Sequence, residues 1–138
     1  MDIKIIHKLN ADHIVKLHKL YQDEWFTQGR SLGDVKKMLR HTDFIFGICD
    51  EKNDDLVGFA RVISDHVYKA FVFDVIVDPS YRHKGLGKLI METIFNHPEL
   101  VSVSHIELYC PESMVPFYEK LGFNPRTSSL LRKMKIRG

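Results

Sequence analysis

The stretch YRHKGLGKL, residues 81–89, runs Arg82, His83 and Lys84 straight into Gly85-Leu86-Gly87 and then adds Lys88. Upstream lies an apolar run over residues 71–77; downstream, Leu89-Ile90-Met91 and Ile94-Phe95 recur at helical spacing. A strand that enters a helix through a glycine loop leaves several backbone N–H groups, and the positive end of the helix, facing outward. Glycine adds tolerance for positive φ and lets a ligand approach the main chain closely. Arg82, Lys84 and Lys88 bring charge to the same spot. The nonapeptide by itself leaves four occupants open: a dinucleotide, an ATP, a phosphate tail, or none.

Two of these are removed by spacing. A P-loop would need glycine where this chain has Arg82 and a hydroxyl residue where it has Leu89. A dinucleotide fingerprint beginning at Gly85 would need its third glycine at Ile90, and the loop lies mid-chain rather than after a first strand.

The rest of the chain reads as alternating strands and helices. DIKIIHKL alternates polar and apolar residues as a short strand does. From Asp12 onward, Ile14, Leu17, Leu20 and Tyr21 form a helical stripe, with Asn10 or Asp12 as N-cap. Ser31 with Asp34 resembles a capping arrangement, and Val35, Met38 and Leu39 mark a second helix. DFIFGICD and LVGFARVIS are hairpin strands around the polar turn at residues 50–55, and KAFVFDVIVDP is rich in Val, Ile and Phe. A helix over residues 85–96, a strand SHIELYC, a helix PESMVPFYEKLG and a final strand SSLLRKMKI follow. The predicted order is βααβββαβαβ: an α/β fold, a mixed sheet flanked by helices, built as one domain over residues 1–138.

Composition excludes several classes. A net charge of +2 and a pI near 8.5 are too mild for a nucleic-acid footprint, so no nucleic-acid partner is expected. No apolar run approaches the ~20 residues of a membrane helix, and MDIKIIHKLN lacks the apolar stretch of a secretory signal. A cytoplasmic protein that does not engage membranes is therefore expected. Cys49 and Cys110 have no CxxC spacing, and the eight histidines show no HExxH, so neither a disulfide frame nor a metal site is expected.

The block DVIVDPSYRHKGLGKLIMETI…IELYCPESMVPFYEKLGF resembles the GNAT superfamily of acetyl-CoA-dependent N-acetyltransferases. Its hallmark, Arg or Gln, two residues, Gly, one residue, Gly or Ala, matches Arg82 to Gly87, and FYEKLGF resembles the second recurring stretch at the matching distance. The resemblance is strong over residues 57–125 and weaker in the N-terminal third. It implies acetyl-CoA as co-substrate and a primary amine, of a small molecule or peptide, as acceptor. Many members form homodimers through their sheets, which leaves a homodimer open here.

By that resemblance, the amides of Arg82, His83, Lys84, Gly85, Leu86, Gly87 and Lys88 hold the coenzyme A diphosphate. Val75, Ile76 and Val77 pair their main chain with the pantetheine arm, and an N–H there polarises the thioester carbonyl. Tyr118 matches the family's tyrosine that gives a proton to the departing thiolate. The family's early strand Glu falls at Phe71, so Asp74, a carboxylate between apolar residues, becomes the first candidate for base or substrate anchor. His66, Asp65 and Glu107 stand in reserve. The family's Asn before the tyrosine falls near Pro111, which removes one contact to the coenzyme arm. Cys110 reads as an inert thiol near the thioester. Acceptor specificity falls on residues 25–40 and 125–131: Trp25 and Phe26, with Glu24 or Asp23, would suit an amine, and Arg30 an acid group. The rival reading is a catalytically weak acyl-CoA-binding sensor, favoured by the missing Glu and Asn and opposed by the intact loop and Tyr118.

Overall fold

The computed structural model describes residues 2–125 and 128–135, and the chain divides after Leu108 into two compact units. The larger unit carries the sheet. Its elements are β1 (Ile3–Ile6), α1 (Ala11–Gln22), α2 (Leu32–Arg40), β2 (Phe44–Asp50), β3 (Leu56–Ser64), β4 (Lys69–Val77), α3 (Leu86–Phe95) and β5 (His105–Glu107). The five strands lie in the order β1-β2-β3-β4-β5; the first four are antiparallel, and β5 runs parallel to β4. A parallel pair needs a crossover, and α3 supplies it. No helix among the described residues is long and apolar enough to cross a membrane.

The caps explain the helix starts. Asn10, rather than Asp12, caps α1: its Oδ1 accepts from His13 N–H at 2.9 Å, while His13 Nδ1 accepts from Asn10 N–H at 3.1 Å. Ser31 Oγ accepts from Asp34 N–H at 3.1 Å and starts α2. The apolar stripe of α1 packs with Val35 and Leu39 of α2 against Cys49, Leu56, Phe59 and Ile76 of the sheet. On the other face lies α3. Gly58 comes so close to it that a Cβ there would sit 3.3 Å from both Ile90 and Ile48, so a bare backbone is what permits the approach.

Beyond Leu108, a 3-10 turn (Glu112–Met114) leads into α4 (Val115–Glu119). The tenth element expected from the sequence does not form: residues 128–135 carry no strand, and Ile136 lies outside the described residues. Leu130, Leu131 and Met134 are exposed, so this segment has no packed face, and a strand without ladder partners or a packed face is not stable. The strand expected over 104–110 is likewise shorter, ending at Glu107.

Candidate active site

Strand β4 is paired along both edges only at its start. Lys69, Ala70 and Phe71 face His105, Ile106 and Glu107 of β5, and there the ladder stops. From residue 72 to 77 the β5-side edge of β4 has no ladder partner among the described residues, whereas the other edge stays on β3 as far as the Gly58–Val77 pair. An open edge in mid-sheet is a place for an extended chain to add as a strand. Val75, Ile76 and Val77, expected to serve a pantetheine arm, lie along it.

On its other edge, in the ladder with β3, β4 carries a bulge. Phe59 pairs with Ile76 and Arg61 with Phe73, so Ala60 alone opposes Asp74 and Val75. Asp74, within the bulge, takes the left-handed conformation, φ 57°. The alternation of faces that a regular strand would give Phe73, Asp74 and Val75 is therefore broken at the carboxylate itself.

After β4 the chain turns through Pro79–Tyr81, capped by Asp78, into the glycine loop. His83 and Gly85 both have positive φ, 62° and 78°. Gly85 is the N-cap of α3 and gives it no side-chain cap bond. The first amides of α3 are thus left open, beside the positive end of the helix. Residues 82–85 are exposed. A Cβ on Gly85 would meet nothing within 4 Å, so Gly85→Ala carries only the backbone penalty of the left-handed region, about 1–2 kcal/mol, checked by urea unfolding.

The cations of the loop are already engaged. Arg82 pairs with Glu24 at 2.7 Å and donates from Nε to the Val77 carbonyl at 3.2 Å. Lys84 Nζ lies over the Tyr81 ring, 5.4 Å from its centroid, and Lys88 is 3.7 Å from Glu92 one helical turn on. The loop therefore offers main-chain donors first and side-chain charge second.

The segment joining α1 to α2 is held by its own polar bonds. Thr27 Oγ1 donates to Tyr21 O at 2.8 Å, and the Gln22 amide accepts from Gly29 N–H and donates to Arg30 O, each at 3.0 Å. This segment presents Trp25 (74% exposed) and Phe26 (41% exposed) as an edge-to-face pair 5.6 Å apart. Glu24 at one end binds the glycine loop through Arg82; Arg30 at the other end binds β4 through Asp74. Glu24, one of the two carboxylates expected beside the aromatic wall, is engaged with Arg82; Asp23 is the other.

Asp74 is the centre of a charge network. Its Oδ2 accepts from Arg30 at 2.7 Å, Arg61 Nε at 2.8 Å and the Tyr21 hydroxyl at 3.0 Å, and its side chain is only 5% exposed. Burial pushes its pKa up, but the Arg30 and Arg61 guanidiniums outweigh burial and hold it below the usual carboxylate range. Burial also pushes the Tyr21 phenol well above its ordinary value, so it stays a proton donor in this bond. In this arrangement the Asp74 carboxylate holds three donors, Arg30, Arg61 and Tyr21, in place at the bulge. Arg61 and Tyr21 were not singled out in the sequence. The available signal was two opposite charges set inside consecutive apolar strands, Arg61 in LVGFARVIS and Asp74 in KAFVFDVIV.

Tyr118, on α4, is 7% exposed, with its ring edge-on to Phe117 and Phe123 at 5.0 and 5.7 Å. Its hydroxyl has no hydrogen-bond partner among the described residues, yet no buried polar side-chain atom among them is left unpaired, so the hydroxyl reaches open space. Burial of the ring pushes its pKa up to about 12. Cys110 is half-buried, and burial raises its thiol too, which keeps it protonated and unreactive.

His13, Cys49 and Asp54 bring three ligand-type atoms within 4.8 Å of one another. His13 Nδ1 accepts from the Asn10 amide, so its proton is on Nε2, which points to Asp54 Oδ2 at 3.1 Å. Lys4 holds the other Asp54 oxygen at 2.9 Å, and burial pushes the Cys49 thiol up to about 11. The cluster fastens the β2–β3 turn to the start of α1.

Residues 8–123 match the profile of the acetyltransferase (GNAT) family. An uncharacterized N-acetyltransferase, ycf52, of Porphyra purpurea is 34% identical over 128 residues, spanning 89% of this chain and 72% of that protein. The chloroplastic GCN5-related N-acetyltransferase 1 of Arabidopsis thaliana is 36% identical over 94 residues, which cover 68% of this chain and 48% of that protein. Among solved structures, a putative GNAT-family acetyltransferase from Xanthomonas campestris pv. campestris superposes with a TM-score of 0.83 at 26% identity, covering 97% of this chain and 94% of that one.

Proposed function

The chain belongs to the GNAT family of acetyltransferases, and from that membership we propose that it moves the acetyl group of acetyl-CoA directly onto a primary amine of a small molecule or peptide. One observation supports this most: the open edge of β4 leads straight into the uncapped, glycine-started helix α3. An extended pantetheine arm suits the first, and a diphosphate suits the second. In this reading a β4 amide polarises the thioester carbonyl, and the oxyanion that forms on attack is stabilised by that fixed dipole.

The neutral amine adds to the carbonyl carbon, the C–N bond forms, and the amine's proton leaves to water. Collapse of the adduct breaks the C–S bond, and Tyr118 gives its hydroxyl proton to the departing thiolate. A phenol pushed up to about 12 is protonated throughout an ordinary assay range. The expected pH profile therefore rises as the acceptor amine loses its proton and shows no fall from Tyr118 below about pH 10. Initial rates from about pH 6 to pH 10 check this.

The direct test is release of coenzyme A thiol from acetyl-CoA across a panel of primary amines. Release that requires both protein and amine is the expected result. Binding of acetyl-CoA with no thiol release in the presence of any amine would favour a sensor module instead.

A further inference from the structure

The network at the β4 bulge carries more positive charge than its carboxylate neutralises. Two guanidiniums, Arg30 and Arg61, share the single carboxylate of Asp74, and the third member is a neutral phenol. One positive charge is left over beside Val75. An isolated ion pair would have served to hold the bulge, so the second arginine calls for its own explanation.

The donors that remain unused are on the arginines. Arg61 bonds Asp74 through Nε alone, and its ring contact is with Phe73, 4.6 Å from the guanidinium carbon to the ring centroid. Its terminal nitrogens have no hydrogen-bond partner among the described residues, and since no buried polar side-chain atom among them lacks a partner, these nitrogens reach open space although the side chain is only 12% exposed. Arg30 is 31% exposed, stacked over the Tyr21 ring at 4.8 Å, and its second terminal nitrogen makes only a 3.4 Å bond to Asp74 Oδ1. Both guanidinium planes are thus fixed by a ring and a carboxylate, with N–H groups to spare. Pre-oriented forks of this kind match the paired oxygens of a carboxylate or a phosphate. Of the two carboxylates on the segment that carries Trp25 and Phe26, Glu24 is engaged with Arg82.

We infer that the acceptor carries an anionic group close to its amine, and that Arg61 and Arg30 receive that group at the β4 bulge. The inference rests on the reading of the β4 edge as the place where the thioester lies. Asp74 then sets the directions of the two forks, and the surplus charge selects against dicationic acceptors such as polyamines.

Matched amines test this on the native protein without any variant. Alanine is compared with alaninamide, and phosphoethanolamine with ethanolamine, each by thiol release and with rates expressed per free amine. The acid-bearing member of at least one pair is expected to show a kcat/KM at least tenfold higher, and the pair that does so tells carboxylate from phosphate. Arg30→Met, which leaves Asp74 its Arg61 and Tyr21 partners, should bring that ratio close to one with the KM for acetyl-CoA unchanged. Equal or reversed preference in both pairs overturns the inference. So does turnover of the neutral amines with none of the acid-bearing ones, because the enzyme reading then survives and this one does not. Absence of acetyl-CoA binding would remove the parent reading itself.

Discussion

Tyr118→Phe should lower kcat by about 100-fold while leaving the KM for acetyl-CoA within about twofold of wild type. The substitution removes one hydroxyl that has no hydrogen-bond partner among the described residues. The ring keeps its edge-on contacts with Phe117 and Phe123, so stability should change by less than about 0.5 kcal/mol. Without the phenol the thiolate must leave unprotonated or take its proton from water, and that loss falls on the chemical step. Steady-state kinetics with acetyl-CoA and a competent amine measure it. A kcat within about twofold of wild type would mean that Tyr118 is not the acid.

The second large effect is on stability. Asp74→Ala leaves Arg61 facing Phe73 with no carboxylate, and the buried Tyr21 hydroxyl with only its weak 3.9 Å bond to Met38 Sδ. Breaking a buried pair by removing one partner costs about 3–5 kcal/mol, and the low end applies because Arg30 can turn to water. Urea unfolding at pH 7 should register a loss of about 3 kcal/mol. The pH dependence has a definite sign. The folded pKa of Asp74 lies below the unfolded value of 3.8, so its contribution is fully present above that value and is lost as pH falls through the folded pKa. Asp74→Asn should remove this acid-limb component from the stability curve. The same variant separates anchor from base: an anchor lost lowers stability first. A general base lost would lower turnover with stability unchanged and would remove an acidic limb from the rate profile.

The sequence made the glycine junction legible because the signal there is local. Positive φ, a missing cap and a helical stripe lie within residues 81–95, and each follows from residue type. The helix caps at Asn10 and Ser31 were legible for the same reason. What stayed hidden depends on register. That β5 stops at Glu107 and frees the edge of β4 is decided by strand pairing, for which no single residue speaks. The bulge at Asp74 is likewise a mismatch between two strands, and it gave a carboxylate that looks like a base in KAFVFDVIV an anchoring place between two arginines. The final strand failed because Leu130 and Leu131 are apolar and consecutive, which suits strand propensity but offers no single buried face.

Calorimetric titration of the purified protein with acetyl-CoA, beside a Gly85→Glu, Gly87→Glu variant, decides whether the glycine loop holds the coenzyme. Saturable one-to-one binding to the native protein is the expected result. In the variant, two carboxylates stand where the diphosphate would meet the amides of α3, and binding should fall by at least about 100-fold, with circular dichroism showing the fold retained. Equal binding by both proteins would place the coenzyme elsewhere. No binding to the native protein would leave the glycine loop as a helix start alone, and would contradict acetyl transfer from acetyl-CoA by this chain.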